Sequence, residues 1–155
     1  MKGNQKIIDA LNGLLAMELA AMDQYFVHAR MYQDWGLNKL FERIDHEVDD
    51  EKGHASKLIE RMLFLEGTPD MSKRDGLKIG TDVVSMLESD LRIEYAVHAA
   101  LKDAIALCGK EKDFVTRSVL KILLDDTEVD HAHWLEQQLK LIKMVGKKNY
   151  LQSQM

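Results

Sequence analysis

The chain has one cysteine, Cys108, and one proline, Pro69, among 155 residues. A lone cysteine excludes an intramolecular disulfide, a Cys-x-x-Cys redox pair and a four-cysteine iron site. Cys108 reads as a buried helix residue, and a reducing cytoplasm is the expected compartment. The scarcity of proline, set beside abundant Leu, Ala, Lys, Glu and Met, predicts helix almost throughout. No run reaches the roughly 18 apolar residues of a membrane span, and the N-terminus carries no apolar signal-peptide segment, so no membrane partner is expected. The net charge is −5 with no basic tract, which gives nucleic acid little to hold.

What remains is enough for one globular domain spanning residues 1–155. The content is 46% apolar and 30% charged, as in soluble proteins able to bury a core. Apolar periodicity predicts four long amphipathic helices: Asn4 to Asp34, Asn38 to Glu66, Asp82 to Cys108, and Lys112 to Val145. Gly36, Gly67, Gly109 and Gly146 are the expected stops, and Lys147 to Met155 has room for one or two further turns. The first and second helices, and the third and fourth, are joined by short links, which make them antiparallel hairpins. The segment from Gly67 to Gly80 is long enough to cross the length of the molecule. Two hairpins joined by one long crossover is the ferritin-type arrangement of an all-α four-helix bundle, here with a short C-terminal helix.

One pattern occurs twice. Glu18 precedes Glu51-Lys52-Gly53-His54 by 33 residues, and Glu94 precedes Glu128-Val129-Asp130-His131 by 34. One Glu from each of two helices and Glu-x-x-His from each of the other two is a known ligand set of di-iron carboxylate bundles. Each glutamate occupies a seven-residue series that is otherwise apolar or aromatic: Leu11, Glu18, Tyr25, Tyr32; Ile44, Glu51, Leu58, Leu65; Leu87, Glu94, Leu101; and Glu128, Leu135, Ile142. A seven-residue step is about two turns, so each series shares one face, with His54 and His131 one turn along from their glutamates. Four buried carboxylates without counter-charge would be prohibitive, and no lysine or arginine stands at a corresponding inward position. Two divalent ions satisfy them, with Glu51 and Glu128 expected as bridges and Glu18 and Glu94 as terminal ligands. Carboxylate and imidazole donors suit Fe(II), Mn(II) or Zn(II).

Further segments point to a family. Glu18-Leu-Ala-Ala-Met-Asp-Gln-Tyr25-Phe-Val-His28-Ala-Arg30-Met, Ile59-Glu-Arg-Met-Leu-Phe-Leu-Glu-Gly67, Trp134-Leu-Glu and Asn149-Tyr150-Leu-Gln resemble bacterioferritin across essentially the whole chain. The resemblance implies a cage of twenty-four subunits that oxidises Fe(II) with oxygen or peroxide and stores ferric mineral. It makes Glu18, Glu51, His54, Glu94, Glu128 and His131 the ferroxidase ligands and places Tyr25 beside them as a transient electron donor or a core aromatic bonded to a carboxylate. It also matches His46 and Asp50 to an inner-surface iron site. The family binds haem between subunits through a methionine directly after the metal glutamate of the second helix, where this chain has Lys52. Haem is therefore not expected in a cage of this chain alone. Its iron centre fits either a haem-free ferritin or one subunit type of a mixed cage whose partner carries the methionine. A structural cage subunit could discard the ligands that this chain keeps. A rubrerythrin-like oxidase would need the four-cysteine site, and the small DNA-protecting ferritins lack the doubled pattern.

Overall fold

The computed structural model describes all 155 residues and contains helices and loops only. The elements are α1 (Gln5–Asp34), α2 (Asn38–Phe64), α3 (Val83–Lys110), α4 (Phe114–Asp125), a π-helical segment (Asp126–Ala132), α5 (His133–Val145) and α6 (Lys147–Ser153). Side-chain caps start three of them, because the first N–H groups of a helix have no partner within it. Asn4 accepts the Lys6 N–H at 2.9 Å, Asp113 accepts the Thr116 N–H at 2.9 Å, and Asp82 and Ser85 form a reciprocal capping box at α3. Two predicted stops, Gly36 and Gly146, lie at positive φ. At the other two the left-handed residues are Glu66 and Lys112, with φ 62° and 61°. α3 continues through Gly109 to Lys110. Gly67 serves close packing instead, since a Cβ there would lie 2.8 Å from Ile8 Cγ2.

The long crossover runs along α1 from its N-terminal to its C-terminal end. The Asp70 N–H donates to Asn12 Oδ1 at 2.8 Å, Arg74 Nε to Asp23 at 3.1 Å, the Lys78 N–H to Gln24 Oε1 at 3.1 Å, and the Gly80 N–H to His28 Nε2 at 3.1 Å. The three backbone contacts, from Asp70, Lys78 and Gly80, also satisfy N–H groups that irregular backbone would otherwise leave unpaired. α3 therefore starts where α1 ends and runs antiparallel to it, and the bundle is up-down-down-up.

The core has two apolar blocks. One is built around Leu11, Leu15, Leu58, Met62, Leu101, Leu120 and Leu123. The other is built around Tyr25, Tyr32, Leu40, Ile44, Met86, Leu87, Leu135 and Tyr150. α6 contributes Tyr150 to the second block, with its hydroxyl donating to Gln138 at 2.9 Å. Between the blocks lies a layer of fully buried acids and imidazoles, namely Glu18, Glu47, Glu51, Glu94, His54 and His131. Apolar residues there would be cheaper for folding, so this layer marks the functional site.

The fourth long helix is not continuous. Leu120, Leu123, Thr127, His131 and Leu135 face the core. The twelve residues from Leu123 to Leu135 make about three and a third turns of ideal α-helix, which would leave the two leucines a third of a turn apart. The π segment takes up the excess with a wider, i→i+5-bonded turn. Arg43 braces it, with Nη2 donating to the Asp130 carbonyl at 3.0 Å and its guanidinium 4.8 Å over the Trp134 ring.

Candidate metal centre

Three helices bring carboxylates to the middle of the bundle because each carries its glutamate on the apolar stripe. Glu18 from α1, Glu51 from α2 and Glu94 from α3 are each 1% exposed. They form two triads with the imidazoles, Glu18–Glu51–His54 and Glu51–Glu94–His131, and within each triad one potential ligand atom per residue lies within 4.8 Å of the others. Glu51 belongs to both. Its Oε2 is 3.4 Å from His54 Nδ1 and its Oε1 is 3.0 Å from His131 Nδ1. Glu18 Oε1 stands 3.7 Å from His54 Nδ1, and Glu94 Oε1 stands 3.4 Å from His131 Nδ1. The two rings stack with centroids 5.5 Å apart.

Glu18 Oε1, Glu51 Oε2, His54 Nδ1 and His131 Nδ1 are all buried without a hydrogen-bond partner. Buried polar atoms are almost always paired, so four unpaired donor atoms in two adjoining triads fit residues that hold cations, and the donor set suits two divalent transition metals. Burial, followed by the charge of Glu51, pushes the Glu18 carboxyl well above its usual range. Glu94 is raised by burial, with His131 and Tyr25 pulling against it. Burial disfavours a charged His54, but the neighbouring carboxylates of Glu18 and Glu51 outweigh it and hold the ring's pKa up to about 11. His131 is raised against the same opposing burial by Glu47, Glu51 and Glu94. The carboxylates thus favour positive charge beside them, which a metal pair would supply.

The ferritin-like domain family matches residues 8–145. The chain belongs to the ferritin-like family. A bacterial ferritin of Synechocystis sp. is 57% identical over 155 residues, covering 100% of this chain and 99% of that protein. One from Neisseria meningitidis serogroup B is 55% identical over 155 residues and 100% of both. A bacterioferritin of Brucella melitensis biotype 1 is 40% identical over 150 residues, covering 97% of this chain and 92% of that protein.

Within this ferritin fold, Tyr25 lies where its sequence position predicts. It is fully buried and its hydroxyl donates to Glu94. Burial and then the charges of Glu94 and Asp90 push the phenol well above its ordinary range. The expected place of Glu128 is corrected. Its side chain is 63% exposed and Oε2 lies 2.8 Å from His98 Nε2, outside both triads. Within the π segment the wider turn puts i and i+4 on one face, so Thr127 shares the inward face with His131 and Glu128 is turned out. The Thr127 hydroxyl is buried and unpaired. One sequence signal anticipates this break: the series Glu128, Leu135, Ile142 extends backward to Lys121, a charge on a supposed core stripe.

His46 is exposed, with Nε2 3.5 Å from Asp50. Asp50 instead groups with Glu47, Asp130 and His131. Two residues that the sequence reading missed hold the imidazoles from behind. Glu47 Oε2 lies 2.8 Å from His131 Nε2 and Asp126 Oδ2 lies 3.2 Å from His54 Nε2. A carboxylate on the second ring nitrogen fixes the orientation of a ligand histidine and raises its basicity. Glu47 was legible, being one turn before Glu51 on the same face. Asp126 was not, because only the π segment brings it there.

Proposed function

We propose that this protein stores iron in a cage of twenty-four subunits and oxidises Fe(II) as it does so, with the two triads as its di-iron site. The observation that carries this reading is the sharing of Glu51 between two buried triads whose inward atoms lack partners. Relatives named bacterial ferritin that align over the full chain supply the storage role. Fe(II) is the substrate: two ferrous ions at neighbouring positions each give one electron to a shared oxidant, oxygen or peroxide. The chain's residues would hold the two ions side by side, with His54 and His131 binding as neutral imidazoles, and exclude bulk water through the two apolar blocks. Tyr25, bonded to Glu94, acts in this reading as a transient electron donor that is oxidised to a radical when the oxidant demands an electron beyond the two from iron and is then reduced by a further Fe(II). Glu128 joins the ligand set in this reading only after the 126–132 segment changes register.

Size-exclusion mass and aerobic Fe(II) oxidation test it together. A large cage is expected, with oxidation at two irons per subunit that collapses in Glu18→Ala and in Glu94→Ala. Oxidation at the parent rate in both variants would remove the buried centre from the mechanism.

A mixed cage is the second reading, and Lys52 favours it over a haem-bearing homo-oligomer. Lys52 is exposed and follows Glu51 directly, and a protonated amine is no haem ligand at neutral pH. Protein produced from this chain alone is expected to show no Soret band. A bis-methionine haem spectrum from such a sample contradicts the Lys52 argument.

A further inference from the structure

The wide turn at residues 126–132 settles which of two neighbours faces the centre. Thr127 is 1% exposed and its hydroxyl has no hydrogen-bond partner, an arrangement that costs free energy. Glu128, the next residue, is held outside by His98, in a groove between α3 and the π segment. Its Oε2 is 2.8 Å from His98 Nε2, and the two side chains are 63% and 29% exposed. An ion pair so open to water adds little stability. At the C-terminal end of the turn the His133 N–H bonds the Glu128 carbonyl, five residues back.

The turn has a second place to sit. Leu120, Leu123 and Leu135 are buried, and keeping all three in the core requires one wide turn between Leu123 and Leu135. Burial of the leucines does not fix its position within that stretch. Moved toward α4, the turn takes up the five residues from Leu123 to Glu128, and α5 extends back through His131 to Glu128. Glu128 then lies seven residues, about two α-helical turns, before Leu135 and shares its inward face. Thr127, about 100° round the helix from Glu128, turns away. His131, four residues before Leu135, faces inward in both registers.

We propose that the π turn is a cation-driven switch: divalent ions at the two triads draw it toward α4, Glu128 leaves His98 for the centre, and Thr127 turns out. The inference rests on the buried centre proposed above and names what moves Glu128 into it. A ligand shifts such an equilibrium only by its different affinity for the two registers, and the second register offers the ions one more carboxylate. His98 holds the first register, whereas the unpaired Thr127 hydroxyl loosens it. Changes at these two residues therefore have opposite effects on metal affinity, although neither residue is a ligand.

Anaerobic Co(II) titration of the assembled protein reads the switch. His98→Ala releases Glu128 and should tighten Co(II) binding about two- to fivefold, the equivalent of one exposed ion pair. Thr127→Val keeps the side chain's shape without the unpaired hydroxyl, favours the first register, and should weaken binding at least about fivefold. If Glu128 stayed on His98 and Thr127 stayed inward throughout, each variant would alter the free and bound protein alike and leave the affinity unchanged. Crystal structures of the parent supply the second readout: Glu128 on His98 and Thr127 inward without Co(II), and the reverse with it. An unchanged affinity in either variant, or Thr127 inward in both crystals, overturns the switch while the centre stands. A parent that fails to bind two Co(II) per subunit overturns the buried centre, and the switch with it.

Discussion

Glu51→Ala is expected to abolish binding of both metal ions, while Glu18→Ala and Glu94→Ala each weaken one. The difference follows from geometry: one Glu51 oxygen faces His54 and the other faces His131, whereas Glu18 and Glu94 each belong to one triad. Supporting groups behind a metal ligand already cost about 10–100-fold in affinity or activity when removed. Loss of a ligand shared by two ions is therefore expected to lower Fe(II) oxidation by at least about a hundredfold. Thermal unfolding separates this from simple destabilisation. Saturating Zn(II) at about 100 times its Kd stabilises a one-site protein by roughly 2.7 kcal/mol, and the parent should show a gain of at least this size. Glu51→Ala should show almost none, with a metal-free Tm no lower than that of the metal-free parent. The reason is that removing Glu51 relieves the charge repulsion that helps raise Glu18, which offsets the loss of its contacts with His54 and His131. A variant that keeps the Zn(II)-induced rise in Tm would show that Glu51 does not bridge.

Asp90→Ala should be the most destabilising single change outside the centre. Asp90, His28 and Gln24 are completely buried. Asp90 Oδ1 accepts from Gln24 Nε2 at 2.8 Å and lies 2.8 Å from His28 Nδ1. His28 Nε2 accepts the Gly80 N–H, so the ring proton belongs on Nδ1, facing Asp90. Burial raises the Asp90 carboxyl, and the bonds from His28 and Gln24 oppose the rise. Truncation leaves two donors without acceptors in the core, and breaking a buried pair in this way costs about 3–5 kcal/mol. At 2–4 °C per kcal/mol for a chain of this size, the Tm should fall by roughly 6–20 °C. Asp90→Asn retains an acceptor at Oδ1 and should lose only about 1 kcal/mol. Because Gln24 and His28 also anchor Lys78 and Gly80, amide exchange in the crossover should accelerate in Asp90→Ala. A Tm within two or three degrees of the parent, with unchanged exchange at Lys78 and Gly80, would show that the triad holds nothing in place.

Much of the bundle could be read from residue order alone. The stripes on α1, α2 and α3 hold from end to end: Leu11, Glu18, Tyr25 and Tyr32 are all buried, as are Ile44, Glu51, Leu58 and Leu65, and Leu87, Glu94 and Leu101. Periodicity suffices there because an unbroken α-helix converts spacing directly into direction. The same inference failed for Glu128. Spacing converts to direction only while the turn stays constant, and the π segment changes it between Asp126 and Ala132. Helix ends were legible to within a few residues. Glu66 and Lys112 adopt the left-handed conformation expected of neighbouring glycines because chain reversal and packing outweigh intrinsic preference at those corners.

By itself, the sequence determined that the protein is helical, that it forms two hairpins joined by a crossover, and that Glu18, Glu51, Glu94, His54 and His131 face inward. Each of these depends on contacts between near neighbours along one helix. Only the tertiary structure decided which residues complete the site. Asp126 reaches His54 across 72 residues, Glu47 meets His131 from another helix, and Glu128 pairs with His98 in a groove. The register of α4 and α5 against α3 sets these relations, and it follows from burying Leu120, Leu123 and Leu135 together. That requirement belongs to the assembled core and goes with the π turn, so the local pattern, which through Lys121 signals only that the stripe breaks, does not fix on which side of the helix Glu128 stands.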